Sequence, residues 1–171
     1  MSEDKTVFDP VDSDGYDAAD KLFDFVFTEG EKALVCESNP SLREMINTAL
    51  TEEGYLITES DSVKEAVKIM RFHVYDVIVI NERFDGSTPD ENGVLQHLEN
   101  LSMITRRKIF IVLITERFRT MDNMAAFNRS VNLVINLKNV ADIATILKRG
   151  ISENNAFYYV FRETLRKEGK A

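Results

Sequence analysis

The sequence predicts an α/β fold, an open five-stranded parallel sheet with helices on both faces and an extended C-terminal helix. Three observations point there. Short apolar runs, KALVC, YLIT, DVIVI, IFIVLI and NLVIN, are separated by longer stretches with helical spacing of apolar residues. The run at 76–80 is apolar on both faces, as a central parallel strand must be. Turn and cap residues such as Asn39-Pro40, Gly54 and Asp61-Ser62 punctuate the alternation.

The elements follow in order. Residues 1–15 are acidic and lack an apolar period, so they read as a mobile leader. Tyr16, Ala19, Leu22, Phe23 and Val26 share one helical face, which predicts a short amphipathic helix over 16–27 ending near Gly30. It either packs on the domain or docks a partner or second subunit. Residues 32–36 form the first strand. Asn39 then caps a helix with Pro40 at its first position, Ser41 and Glu44 at capping-box spacing, and Leu42, Met45, Ile46, Ala49 and Leu50 on its buried face. Gly54 closes it.

The second strand is expected at 55–58. Asp61 and the Ser62–Glu65 pair start a second helix, which carries Val63, Ala66, Val67 and Met70. After the third strand at 76–80 comes a long polar loop, 81–92, suited to covering a pocket or meeting a partner. A helix with Val94, Leu95, Leu98 and Leu101 follows. The fourth strand is 109–114, a helix is expected near 120–129, and the fifth strand is 132–136. Right-handed crossovers between such units give the flavodoxin-like strand order 2-1-3-4-5, with a ligand site at the carboxyl ends of strands 1 and 3. Residues 139–168 lack proline and keep helical spacing, with Gly150 as a candidate break. The expected divisions are therefore 1–30, leader and amphipathic helix; 31–150, the α/β domain; and 151–171, a helical extension.

Composition narrows the function. The 171-residue chain carries a formal charge of −8, which disfavours nucleic-acid binding. Its basic clusters, Arg106-Arg107-Lys108 and Lys148-Arg149, read as solvated helix and strand ends. No apolar run is long enough to span a bilayer, so no membrane partner is expected. A single cysteine, Cys36, in an apolar strand reads as core packing in a reducing, cytoplasmic compartment. The positions of His73 and His97 suggest neither a metal site nor a Ser–His or Cys–His pair, and Glu37-Ser38-Asn39-Pro40 stands where a glycine-rich phosphate loop would follow strand 1. No enzyme, cofactor or metal is expected.

From Lys32 to about Gly150 the chain resembles the receiver domain of bacterial response regulators. The resemblance rests on KALVCES, YDVIVIN, Gly93 opening the third helix, IVLIT and NLVIN. It implies the CheY-like form of the flavodoxin-like fold. An active receiver has an acidic pair after strand 1 that helps hold Mg²⁺, an aspartate ending strand 3 that accepts phosphate, a Ser or Thr ending strand 4 and a lysine ending strand 5. Here the acidic pair falls on Glu37 and Ser38, the phosphoacceptor position on Asn81, the switch position on Thr115 and the lysine position on Asn136, with Lys138 two residues on. A carboxamide is no nucleophile for phosphoryl transfer, and one carboxylate is a poor site for a hard divalent cation. Glu82 or Asp85 from the adjoining loop are the other carboxylates within reach.

The resemblance therefore implies a phosphorylation-independent pseudo-receiver, a protein-interaction module in bacterial signal transduction. By the same likeness, its contact face is the helix near 120–129, the fifth strand and the helix after it. Phe157, Tyr158, Phe161 and Leu165 extend beyond what a small sheet can cover, which points to a homodimer through the C-terminal helix, with folding back onto the domain as the alternative. Two other functions stay open: an atypical receiver still switched by phosphorylation or Mg²⁺ through Glu82 or Asp85, and small-molecule binding in the cleft between strands 1 and 3.

Overall fold

A computed structural model describes residues 30–169; the leader and the expected helix at 16–27 lie outside the described residues. The apolar runs pair into one parallel sheet of order β2-β1-β3-β4-β5. Its strands are β1 (Lys32–Cys36), β2 (Leu56–Ser60), β3 (Val77–Asn81), β4 (Phe110–Thr115) and β5 (Leu133–Asn136). The helices are α1 (Pro40–Glu52), α2 (Val63–Phe72), α3 (Gly93–Glu99), α4 (Met103–Arg106), α5 (Asn123–Asn128) and α6 (Ile143–Lys167). Fold class and strand order are as the alternation predicts.

Each strand sends alternate side chains to opposite faces, so one sheet makes two cores. Leu34, Cys36, Ile78, Ile80, Ile111 and Leu113 face α2, α3 and α5. Ala33, Val35, Val79, Val112, Ile114 and Ile135 face α1 and α6. All of these are buried to within 1%. At about 1.5–3 kcal/mol for each large apolar side chain removed from water, this double layer dominates the favourable side of folding.

Local chemistry sets the ends. Asn39 Oδ1 accepts the Leu42 N–H at 3.1 Å and caps α1, with Pro40 in the first turn. Gly54 turns the chain in the left-handed region at φ 91°. Ser62, not Asp61, caps α2, its hydroxyl accepting the Glu65 N–H at 3.2 Å, while Glu65 accepts the Asp61 N–H at 2.9 Å. The third and fourth strands end one residue later than the apolar runs suggest, because Asn81 and Thr115 still occupy ladder positions, whereas the fifth ends at Asn136 as expected. The second strand runs to Ser60, and Tyr55 precedes it, buried.

Two expectations are corrected. The helix expected near 120–129 is only Asn123–Asn128. Asp122 caps it by accepting the Met124 and Ala125 N–H groups, and Met121 stands at φ 60°, which helical backbone cannot adopt. Gly150 does not break α6, which runs unbroken through 25 residues, about 37 Å. It is a contact point instead: a Cβ there would lie 2.9 Å from Leu133 Cδ2 and 3.4 Å from Phe110 Cζ. The helix crosses the sheet so closely that any larger residue would have to displace the Leu133 side chain. Because those contacts involve the first residues of β4 and β5, the rest of α6 projects past that end of the sheet.

Arg106 also departs from its expected role as a solvated cation. It reaches Ile109 O and Asn132 Oδ1 at 3.1 and 3.3 Å, and Ser130 O, and burial holds its pKa below the ordinary value.

Candidate functional site

The carboxyl ends of β1 and β3 bring three of the expected residues together. Glu37, just past β1, is 2% exposed. Its Oε2 accepts the Asn81 Nδ2 donor at 2.7 Å, and its Oε1 accepts the Asn39 N–H at 2.8 Å. The Glu37 carbonyl takes Arg43 Nε at 2.8 Å. Asn81 uses its other end too, Oδ1 accepting the Arg83 N–H at 2.9 Å. Ser38 Oγ accepts the Asp85 N–H at 3.2 Å, which ties the loop after β3 across the end of β1. A hydrogen bond to a buried carboxylate contributes about 1.5–3 kcal/mol, so the Glu37–Asn81 pair is a firm link between neighbouring strands.

Thr115 and Asn136 pair at the ends of β4 and β5, and their side chains bond to the loops beyond those strands. Thr115 is fully buried, and its hydroxyl accepts the Arg117 N–H at 3.0 Å. Asn136 donates to Phe118 O at 2.7 Å and Glu116 O at 3.3 Å, and accepts the Lys138 N–H at 3.0 Å. It therefore staples the loop after β4 to the loop after β5. The side chain of Lys138 is exposed; only its backbone joins this network. Of the six expected residues, then, Glu37, Ser38 and Asn81 form one hydrogen-bonded group, and Thr115 and Asn136 adjoin it.

Two parts of the site escaped the sequence reading. Asn92 is 2% exposed; it donates to the carbonyls of Asn81 and Glu82, both at 3.2 Å, and caps α3 by accepting the Val94 and Leu95 N–H groups. The Asn92-Gly93 step before an apolar helical pattern carried that signal. The second part is ionic. Glu82, 1% exposed, accepts the Glu116 N–H at 3.1 Å and pairs with Arg117 Nε at 3.2 Å. Asp90 binds Arg117 at 3.3 Å and Arg129 at 3.1 Å, and both guanidinium groups lie over the Phe118 ring. The polar loop at 81–92 is thus clamped to the loop after β4 and to the end of α5. Nothing short-range in the sequence marks pairs this far apart.

The arrangement of sheet and helices is shared with known structures. No protein-family model matches the chain, and no curated protein matches it significantly. The receiver domain of a sensor histidine kinase from Pseudomonas aeruginosa, solved with a magnesium ion coordinated in its active-site cleft, superposes with a TM-score of 0.55 at 21% identity, over 72% of this chain and 98% of that one. This chain is a receiver fold. A CheY-like receiver domain protein from Methanospirillum hungatei gives 0.55 at 14% identity, over 74% and 97%. A chemotaxis response regulator of Vibrio cholerae gives 0.51 at 17%, over 71% and 98%.

The receiver fold raises the question of magnesium, and the donor set here fits it poorly. Mg²⁺ asks for hard, preferably anionic oxygens at open positions. This strand end offers one carboxylate, one carboxamide oxygen and one hydroxyl, each already accepting a backbone or side-chain N–H. Asp85 Oδ2 is likewise taken, by the Val63 N–H at 2.9 Å. Among the described residues, no three acidic, histidine or cysteine side chains gather at metal-ligating spacing.

The C-terminal half of α6 carries the remaining candidates. Phe157 is 80% exposed and Phe161 40%, with Tyr159 and Val160 beside them at 62% and 72%; Tyr158 and Leu165 are half-buried. The Phe157 and Tyr158 rings meet edge to face at 5.0 Å, and Arg107 sits over Phe161 at 5.6 Å. No helix among the described residues is long and apolar enough to cross a membrane.

Proposed function

We propose that this chain is a phosphorylation-independent receiver-fold module that serves signal transduction in the bacterial cytoplasm through protein contacts rather than catalysis. The observation that carries the reading is the Asn81–Glu37 hydrogen bond of 2.7 Å. It puts a neutral N–H donor at the end of β3, facing the residual carboxylate. A phosphoryl acceptor there would have to be an anionic carboxylate. The neighbouring backbone donors are also spent, Arg83 N–H on Asn81, Glu116 N–H on Glu82 and Arg117 N–H on Thr115. A phosphoryl group would therefore find no free oxyanion donors at these three positions.

Phosphorylation at Glu82 or Asp85 has less support, because Glu82 is buried against Arg117 and Asp85 is bound to the start of α2. Incubation of the full chain with Mg²⁺ and acetyl phosphate, followed by intact-mass and peptide mass spectrometry, tests the point. The expected result is no phosphoryl adduct. An acyl phosphate mapped to Glu82, Asp85 or any other residue of this strand end overturns the reading.

The assembly surface in this reading is the projecting half of α6, forming an isologous homodimer. Phe157, Val160 and Phe161 fall on one face of α6 by helical spacing and are exposed, and exposed stripes of this kind mark interfaces. Replacing a buried aromatic anchor typically costs about 2 kcal/mol or more, some thirtyfold in Kd. Sedimentation should show a dimer for the native chain and a monomer for Phe157→Asp; a native monomer at high concentration contradicts this assembly.

A further inference from the structure

We infer that the amphipathic segment at residues 16–27 docks in the groove between the outer strand β2 and helix α2 of its own chain. Among the described residues β2 pairs only with β1, which leaves its outer edge without a described strand beside it, and an open edge in natural proteins is usually covered or blunted. Beside it lies a groove of about 610 Å³. Leu56, Thr58, Ile69 and Tyr75 line it, and Lys32 and Lys68 add positive charge. Its carboxylate, Glu65, is committed to the Asp61 N–H at 2.9 Å. Leu56 is 43% exposed, although it opens a strand of the sheet.

Two observations select the occupant. The first is where the chain enters. Glu31 O accepts the Leu56 N–H at 2.8 Å, and a Cβ on Gly30 would lie 3.3 Å from Leu56 Cδ1. The described chain thus begins at the rim of this groove, and the two residues that separate Gly30 from the 16–27 segment can span only about 7 Å. A twelve-residue helix is about 18 Å long, close to the roughly 15 Å of ten-residue α2. The second is charge. Residues 16–29, YDAADKLFDFVFTE, carry Asp17, Asp20, Asp24 and Glu29 against a single Lys21, whereas the groove presents Lys32 and Lys68. The apolar face of Tyr16, Ala19, Leu22, Phe23 and Val26 supplies the matching apolar surface. The docked segment covers the β2 edge at the far side of the sheet from β5, leaving the stripe on α6 to a second copy.

The test uses the full chain with Lys21→Cys carrying a nitroxide; Cys36 is buried and stays unmodified. Lys21 lies opposite the apolar face, so the label does not replace an anchor. Amide signals of Leu56, Thr58 and Ile69 should be lost. A mixture of isotope-labelled, nitroxide-free chain with unlabelled, spin-labelled chain should keep them. Signal loss at 157–165 instead, loss at the groove only in the mixture, or no loss at all overturns the inference. Adding Leu22→Asp and Phe23→Asp should restore the groove signals while the core amides keep their positions, and loss that persists in that variant also overturns it. The result does not depend on whether the strand-end site accepts phosphate.

Discussion

Replacing Asn81 by aspartate changes few atoms and reverses one interaction. In the native chain the carboxamide donates to Glu37 Oε2 at 2.7 Å. In Asn81→Asp, two carboxylates face each other at that distance, and the pair with Glu37 is 2% exposed on its glutamate side. At an effective dielectric constant of about 20, two full charges there repel by about 6 kcal/mol. The protein need not accept that cost, because one carboxyl can hold a proton. Protonating a carboxyl of ordinary pKa near 4 at pH 7 costs about 4 kcal/mol, which caps the penalty. The protonated pair regains a hydrogen bond, so the expected destabilisation at pH 7 is about 3–4 kcal/mol.

The pH dependence follows from the same step. The folded-state pKa of the pair is raised, so the variant's stability is fully present below the unfolded pKa and is lost as pH rises through the folded one. At pH 5 the cap falls to about 1.4 kcal/mol. Urea unfolding of native and variant chains at pH 5 and pH 7 reads both numbers. A difference below about 0.5 kcal/mol at pH 7, or one that does not shrink on acidification, refutes the Asn81–Glu37 link and the charge reasoning built on it.

Other consequences are simpler to read. Gly150→Val should destabilise by about 1–3 kcal/mol in thermal or chemical unfolding, because the added methyls overpack Leu133 and Phe110; a gain in stability, as helix propensity alone would give, contradicts the close crossing. Burial pushes the Cys36 thiol up from 9.0 to about 12, so it should resist iodoacetamide in the folded chain at pH 8 and react once urea unfolds it. Burial, and next the charge of Arg71, lower the His97 pKa from its ordinary 6.5. Below about pH 6.5 the unfolded chain therefore takes up the proton more readily, and stability falls with acid. His97→Gln should lose stability less steeply than the native chain between pH 7 and pH 5, and parallel curves count against this.

The sheet was legible in the sequence because parallel strands are buried on both faces and read as unbroken apolar runs such as DVIVI and IFIVLI. Strand ends slipped by a residue, since Asn81 and Thr115 are polar yet still sit in the ladder. The helix at 123–128 was overread because Met121 carries an apolar side chain on left-handed backbone, which periodicity does not register. Gly150 looked like a weak point on propensity, whereas its role lies in a contact with β4 and β5 residues far away in sequence. The site divides in the same way. Glu37, Ser38 and Asn81 were singled out through the receiver resemblance, and the predicted strand order puts the carboxyl ends of β1 and β3 side by side. The Glu82–Arg117–Asp90–Arg129 clamp was missed, because side chains on separate loops meet only after folding.

The central claim is that this receiver fold keeps its strand-end pocket hydrogen-bonded shut, with no place for Mg²⁺ or a phosphoryl group. An amide NMR titration of the full chain with Mg²⁺, and then with beryllofluoride, tests it most directly. The account predicts that Asn81, Arg83, Thr115 and Glu116 keep their positions at millimolar ligand. Saturable shifts centred on those residues and on the loop at 82–92 would contradict it and make the chain a phosphorylation-controlled switch.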